Sequence, residues 1–266
     1  MYLQLKRKLN TRAERKLNNK IVMVVPCFNE AKRLDLSYFN TLSEIKSTMW
    51  IFVDDGSTDG TSKMLENFSK KENIIHVTIN DNVGKSNAVA YGMNYAAKNI
   101  SNIGWLGFLD SDGAFATGDV ESVIKMTSQI KEYDALYTSR VKMAGRNIKR
   151  NNVRHFIARI ITSIFGLVWK DIPYDTQSGF KLYRYYDNFN LMFINPFKTR
   201  WFLDIELSIR FLHHKGKNIK VWEEPVSSWF DIPGSKIDYR QSARIILEAM
   251  YIFYLLLCQR KKSLNN

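Results

Sequence analysis

The chain has 266 residues, 45% of them hydrophobic and 13% aromatic, with only five prolines. That length and composition provide for a full core and exclude global disorder. The net charge of +13 is concentrated in two zones: residues 1–20 carry +6, and residues 135–170, which contain no acid, carry +8, so the remainder stands at −1.

The basic segment 1–20 is not followed by a long apolar stretch, so it does not read as a secretory signal. Ile21–Val25 is a short apolar run stopped by Pro26, and Trp50–Val53 is a second, stopped by Asp54-Asp55-Gly56-Ser57. Ile74–Ile79, Trp105–Leu109 and Ala135–Thr138 follow, with Asp110-Ser111-Asp112-Gly113 closing the fourth run. Stretches of helical length lie between them, at Thr61–Lys71, Ser86–Lys98 and Asp119–Lys131. Continuous apolar strands interleaved with helices predict an α/β fold with a mostly parallel central sheet covered on both faces.

Two further amphipathic helices are expected, near residues 150–169 and 238–258. In the first, Phe156, Ile157, Ile160, Ile161, Ile164, Phe165 and Val168 recur at helical spacing beside an arginine-rich, acid-free lead. The second is followed by Arg260-Lys261-Lys262. Such helices pack on a core or lie in an anionic membrane interface. The longest apolar stretch, Ala249–Cys258, is about half the roughly 20 residues that a span needs. The predicted organisation is a basic segment 1–20, a catalytic domain 21–236, and a C-terminal amphipathic helix and tail 237–266. Location is expected to be cytoplasmic and peripheral to a membrane. Cys27 and Cys258 form no CxxC pair, which fits a reducing compartment. His213 and His214 lack zinc-ligand spacing and read as surface residues near a helix end.

In open α/β sheets, ligands bind at the carboxyl ends of the strands. Glu30 follows the first strand, Asp54 and Asp55 the second, Asp110 and Asp112 the fourth, so five carboxylates are expected along one edge. Asp-x-Asp-Gly alone is an ordinary turn sequence. Its place after an apolar strand, with a second acidic cluster two strands earlier, points instead to a hard divalent cation, Mg2+ or Mn2+, bridging to phosphates. Gly84-Lys85-Ser86 resembles the end of a phosphate-binding P-loop, but the glycine needed five residues before Gly84 is Ile79. No GxGxxG follows the first strand.

The ordered segments Val25-Pro26-Cys27-Phe28-Asn29-Glu30, Val53-Asp54-Asp55-Gly56-Ser57-Thr58-Asp59-Gly60-Thr61, Asn82-Val83-Gly84-Lys85 and Asp110-Ser111-Asp112 resemble glycosyltransferase family 2. Asp175-Thr176-Gln177-Ser178-Gly179-Phe180-Lys181-Leu182, Arg200 to Leu207 and Ile232-Pro233-Gly234-Ser235-Lys236 are similar to its dolichyl-phosphate β-glucosyltransferase branch, and more distantly to dolichyl-phosphate mannose synthases. The resemblance implies a GT-A fold and an inverting, metal-dependent hexosyl transfer, with UDP-glucose as donor and a polyprenyl phosphate as acceptor. It implies that Pro26, Phe28, Glu30, Asp54, Asp55 and Lys85 bind the nucleotide sugar, and that Asp110 and Asp112 hold the metal and diphosphate. Asp204 and Asp175 are the candidate sugar-side carboxylates; Arg140, Arg150, Arg154 and Lys236 are candidate cations for the acceptor phosphate. Asp204 and Glu206 sit two apart, so on a helix they cannot share a face.

A phosphate acceptor is already anionic near neutrality, since its second ionisation lies at about 6. An acceptor hydroxyl, on a polysaccharide or glycolipid, is the alternative; it requires a base, for which Asp204 and Asp175 are the candidates. A nucleic-acid-binding role has the basic charge in its favour, but the acidic strand ends oppose it and no nucleic-acid motif is present, so no nucleic-acid partner is expected. The sequence does not specify an oligomeric state.

Overall fold

The computed structural model describes residues 20–149, 173–215, 219–230 and 242–264, together with positions 159, 160, 162, 163 and 166. Strand β1 is Lys20–Cys27, β2 Thr48–Asp55, β3 Ile74–Ile79 and β4 Ile103–Leu109. Their registers are parallel, with Cys27 opposite Asp54 and Asp55 opposite Ile79, so the carboxyl ends finish together. Strands β5 (Ala135–Ser139), β7 (Phe180–Arg184) and β8 (Val221–Pro225) complete a seven-stranded sheet in the order β3-β2-β1-β4-β7-β5-β8. A separate parallel pair joins β6 (Asn147–Lys149) to β9 (Ser228–Phe230).

The apolar runs are continuous because both faces of the sheet are buried. Met23, Val25, Trp50 and Phe52 point to one face, where they meet Phe39 and Leu42 of helix α1 (Leu36–Ser43), Leu65 of α2 (Thr61–Phe68) and Val120, Val123 and Ile124 of α4 (Thr117–Met126). Val22, Val24, Ile51 and Val53 point to the other, against Ala88, Val89, Met93 and Ala96 of α3 (Lys85–Asn99) and Leu203, Leu207 and Phe211 of α5 (Leu203–Lys215). Gly92 allows α3 to lie close: a Cβ there would stand 2.5 Å from Cγ1 of Val24 and 2.7 Å from Cγ2 of Val53. The remaining side of α5, Ile205 and Ile209, packs on Ile252 and Leu256 of α6 (Ser242–Leu264).

The five predicted strands and three predicted helices are present, with α2 and α4 ending earlier than their periodicity suggests. Helix α1, only eight residues long, was not predicted; its signal is Asp35, whose carboxylate accepts the N–H groups of Ser37 and Tyr38 at 2.8 and 3.2 Å. The expected helix at 238–258 runs from Ser242 to Leu264, while positions 238–241 lie outside the described residues. Of 150–169, positions 159, 160, 162, 163 and 166 are helical and the rest lie outside them. No helix among the described residues is long and apolar enough to cross a membrane.

Candidate active site

The carboxyl ends of β1, β2 and β4 open on a cavity of about 610 Å3. Its first wall is Pro26, Phe28 and Glu30. The turn that carries them is held by the motif after β2: Ser57 Oγ accepts the Asn29 N–H at 2.9 Å, Thr61 Oγ1 the Glu30 N–H at 2.8 Å, and Asp59 the Ala31 N–H at 3.1 Å. Asp55 lines the cavity as well, and its carboxylate accepts from the backbone of Val83 and Gly84, both at 2.9 Å, and from Asn82 Nδ2 at 3.0 Å. Burial raises its pKa, against the pull of those N–H groups and of Arg200. Asp54 does not line the cavity: it is 1% exposed and accepts the Ser57 N–H at 3.0 Å. Successive strand side chains alternate between faces, so the two adjacent aspartates point to opposite sides of the sheet.

Asp110 and Asp112 follow β4 and both line the cavity. Antiparallel β7 brings its amino end to the carboxyl end of β4, pairing Leu109 with Phe180, and the Asp110 N–H donates to the Gly179 carbonyl at 2.9 Å. A Cβ at 179 would lie 2.3 Å from Oδ2 of Asp110, so any larger residue there would displace that carboxylate. Lys85 Nζ stands 2.6 Å from Oδ1 of Asp110. Burial opposes the Lys85 ammonium, but the charges of Asp110, Asp204 and Asp112 outweigh it and raise its pKa. Asp112 accepts the Ala114 N–H at 3.1 Å; burial, then the neighbouring Asp110 charge, raises its pKa. Two hard oxygen donors under like-charge pressure fit Mg2+ or Mn2+, which takes one or two carboxylates and completes its shell with water and phosphate oxygens. Among the described residues no set of three or more His, Cys, Asp or Glu is placed to hold a metal ion.

Four further lining residues were not among the sequence candidates. Arg33, whose Nε stands 3.5 Å from Oε2 of Glu30, and Gln177, Arg200 and Trp201 line the cavity together with Asp204. Arg200 lies over Gly84, and the backbone N–H groups of Arg200 and Trp201 both donate to Oε2 of Glu248 on α6 at 2.9 Å. Behind Asp204 is Lys181, fully buried, whose Nζ bonds to Oδ1 of Asp204 and to the Ser178 carbonyl, both at 2.5 Å. Burial lowers the Lys181 pKa, with Asp204 as the main opposing influence. Glu206, two residues on, is buried away from the cavity, accepting from Thr199 and pairing with Arg210 at 2.7 Å. The split between Asp204 and Glu206 is the one their spacing demands.

Arg140 and Asp175 do not line the cavity; they bind each other, Nε to Oδ2 at 2.6 Å and Nη2 to Oδ1 at 2.8 Å, with the guanidinium 4.9 Å from the Trp229 ring. The two charges compensate each other, and the charges of Asp204 and Asp110 also act on the Arg140 guanidinium. Arg150, Arg154 and Lys236 lie outside the described residues. His213 and His214 are exposed in the last turn of α5, as expected, and neither of the two cysteines is in a disulfide.

Comparison with known proteins agrees with this geometry. The family described as glycosyl transferase family 2 matches residues 22–189. A dolichyl-phosphate β-glucosyltransferase of Saccharomyces cerevisiae is 29% identical over 242 residues, covering 81% of this chain and 68% of the relative. The enzyme of the same name from Homo sapiens is 28% identical over 235 residues, with 81% and 68% covered. Among solved structures, glucosyl-3-phosphoglycerate synthase from Mycobacterium tuberculosis, in complex with Mn2+, UDP-glucose and phosphoglyceric acid, superposes with a TM-score of 0.61 at 16% identity, over 93% of this chain and 82% of that one.

Proposed function

The chain belongs to glycosyltransferase family 2 and has its GT-A fold, and from that premise we propose that it transfers glucose, with inversion, from UDP-glucose to a polyprenyl phosphate at the cytoplasmic face of a membrane. The observation that carries the reading is the Asp110/Asp112 pair at the end of β4, opening on a cavity that also holds Lys85, Arg33 and Arg200. The names of the similar dolichyl-phosphate β-glucosyltransferases support the acceptor class. The UDP-glucose complex of the structural neighbour supports the donor.

In this reading the nucleoside lies against Pro26, Phe28, Glu30 and Asp55, and the diphosphate between Lys85 and Arg200. Asp110 and Asp112 would hold Mg2+ or Mn2+, which when bound supplies Lewis-acid stabilisation of the charge developing on the departing diphosphate. The chain contributes orientation. Gly179 and the Ala114 N–H set the two carboxylates before substrate arrives. Lys85 and Arg200 add positive charge where negative charge grows.

An acceptor phosphate, largely ionised above about pH 6, attacks the anomeric carbon from the side opposite the leaving diphosphate and needs no strong base. Asp204, held by Lys181, then serves to orient sugar hydroxyls rather than to take a proton. Arg150, Arg154 and Lys236 retain the acceptor-side role in this proposal, and the domain limits 21–236 are proposed on the same basis.

Asp112→Ala is the direct test. Calorimetry with UDP-glucose and Mn2+ is expected to show at least about a tenfold loss of affinity, equal to about 1.4 kcal/mol, and no difference between metal and EDTA. An unchanged, metal-dependent affinity would remove Asp112 from the site.

A further inference from the structure

Helix α6 is apolar on two opposite sides. Its inward row, Ile245, Ile252 and Leu256, packs on Phe202, Ile205 and Ile209. Its outward row is Ile246, Leu247, Met250, Tyr254 and Leu257, with Leu247 65% and Met250 64% exposed. At helical spacing these five residues fill an arc of about 100°, roughly opposite Ile252 and Leu256. A helix on the rim of a water-soluble body presents polar residues there, and a contiguous apolar row marks a surface that something covers.

The charge on the same helix points to the occupant. Glu248 is the only acid between residues 242 and 264; it is 6% exposed and turned inward, taking the N–H groups of Arg200 and Trp201. Arg244, Arg260, Lys261 and Lys262 lie on the helix, giving it a net +3. It is not long and apolar enough to cross a bilayer. An apolar arc with cations toward both ends and no outward acid is what an anionic lipid interface attracts.

We propose that α6 is a membrane-docking helix, seating Ile246, Leu247, Met250, Tyr254 and Leu257 in an anionic bilayer surface. On the reading that the cavity is the transfer site, Glu248 gives this docking a consequence for function. It joins the docked helix to the backbone of Arg200 and Trp201, which line a wall of the cavity. The lipid surface and that wall are then two sides of one helix, and an acceptor held in the membrane has a short path to the site.

The test is sedimentation of the full chain with vesicles of phosphatidylglycerol and phosphatidylcholine, comparing the native protein with a Leu247→Glu/Met250→Glu variant. Burying a Leu or Met side chain in the bilayer is favourable and burying a Glu carboxylate is not, so the variant is expected to lose about tenfold or more in partitioning. UDP-glucose affinity should stay unchanged, and native partitioning should weaken in high salt or on phosphatidylcholine alone. Equal partitioning of the two proteins overturns the proposal. So does a variant that abolishes a concentration-dependent dimer in ultracentrifugation while still binding vesicles, which would assign the face to a second copy of the chain. Should the variant fail to fold, hydrogen exchange on the native protein decides: protection of residues 244–258 by anionic vesicles is expected, and its absence refutes docking. Partitioning needs no sugar transfer, so failure of docking and failure of the proposed activity are separately visible.

Discussion

Asp204 and Lys181 show how one residue pair supports the cavity without any ligand present. Lys181 is fully buried on β7 and has two oxygen partners, Asp204 and the Ser178 carbonyl, with the rings of Phe108 and Tyr137 5.7 and 5.2 Å away. Removing one member of a buried pair strands the other charge, at a cost of about 3 kcal/mol or more. Lys181→Met is therefore expected to lower stability by about 3 kcal/mol in chemical denaturation, and adding Asp204→Asn should recover part of it. Strictly additive losses in the double variant would mean the two residues are not coupled. Asp110 and Asp112 were legible in the sequence because a carboxylate just after an apolar strand has little choice of position. The different places of Asp54 and Asp55 follow from strand geometry, in which adjacency in sequence is opposition across the sheet. The pairing of Arg140 was not legible, because counting cations cannot reveal a partner 35 residues away, and Asp175 is that partner.

At the scale of elements, the active cavity depends on two pieces that periodicity alone does not reveal. β7 runs antiparallel among parallel neighbours, which sets Gly179 against Asp110. Lys181 and Arg184 break its apolar run, so it does not read as a continuous buried strand, although the strand direction explains why the Gln177-Ser178-Gly179 segment reaches the carboxylates. α6 was legible as a helix, but its inward link was not, since Glu248 reads in sequence as one more surface charge. Glu248→Ala is expected to cost about 2 kcal/mol of stability by leaving two N–H groups without their acceptor, and to weaken UDP-glucose binding through the Arg200 wall. Arg244→Ala, which removes a half-exposed partner of the same carboxylate, should change stability by less than about 0.5 kcal/mol. Denaturation and calorimetry on the two variants separate these outcomes, and equal behaviour would deny Glu248 its positioning role.

Over the whole molecule, the order of apolar runs was enough to specify a parallel α/β sheet with its ligand edge, because burial on both faces leaves continuous strands as the only sequence pattern. Charge was less informative. The first basic zone falls almost wholly outside the described residues and the second only in part, whereas the feature that best fits a lipid surface is an apolar row on α6. The cavity and the outward row of α6 are together consistent with a sugar moved from a soluble donor to a membrane-held phosphate. The most direct test is transfer of labelled glucose from UDP-glucose to a polyprenyl phosphate in anionic vesicles with Mg2+ or Mn2+, followed by organic extraction. Label in the organic phase, lost with EDTA and with Asp112→Ala, is the predicted result. Label that stays in the aqueous phase while UDP-glucose binding is intact would contradict the polyprenyl phosphate as acceptor.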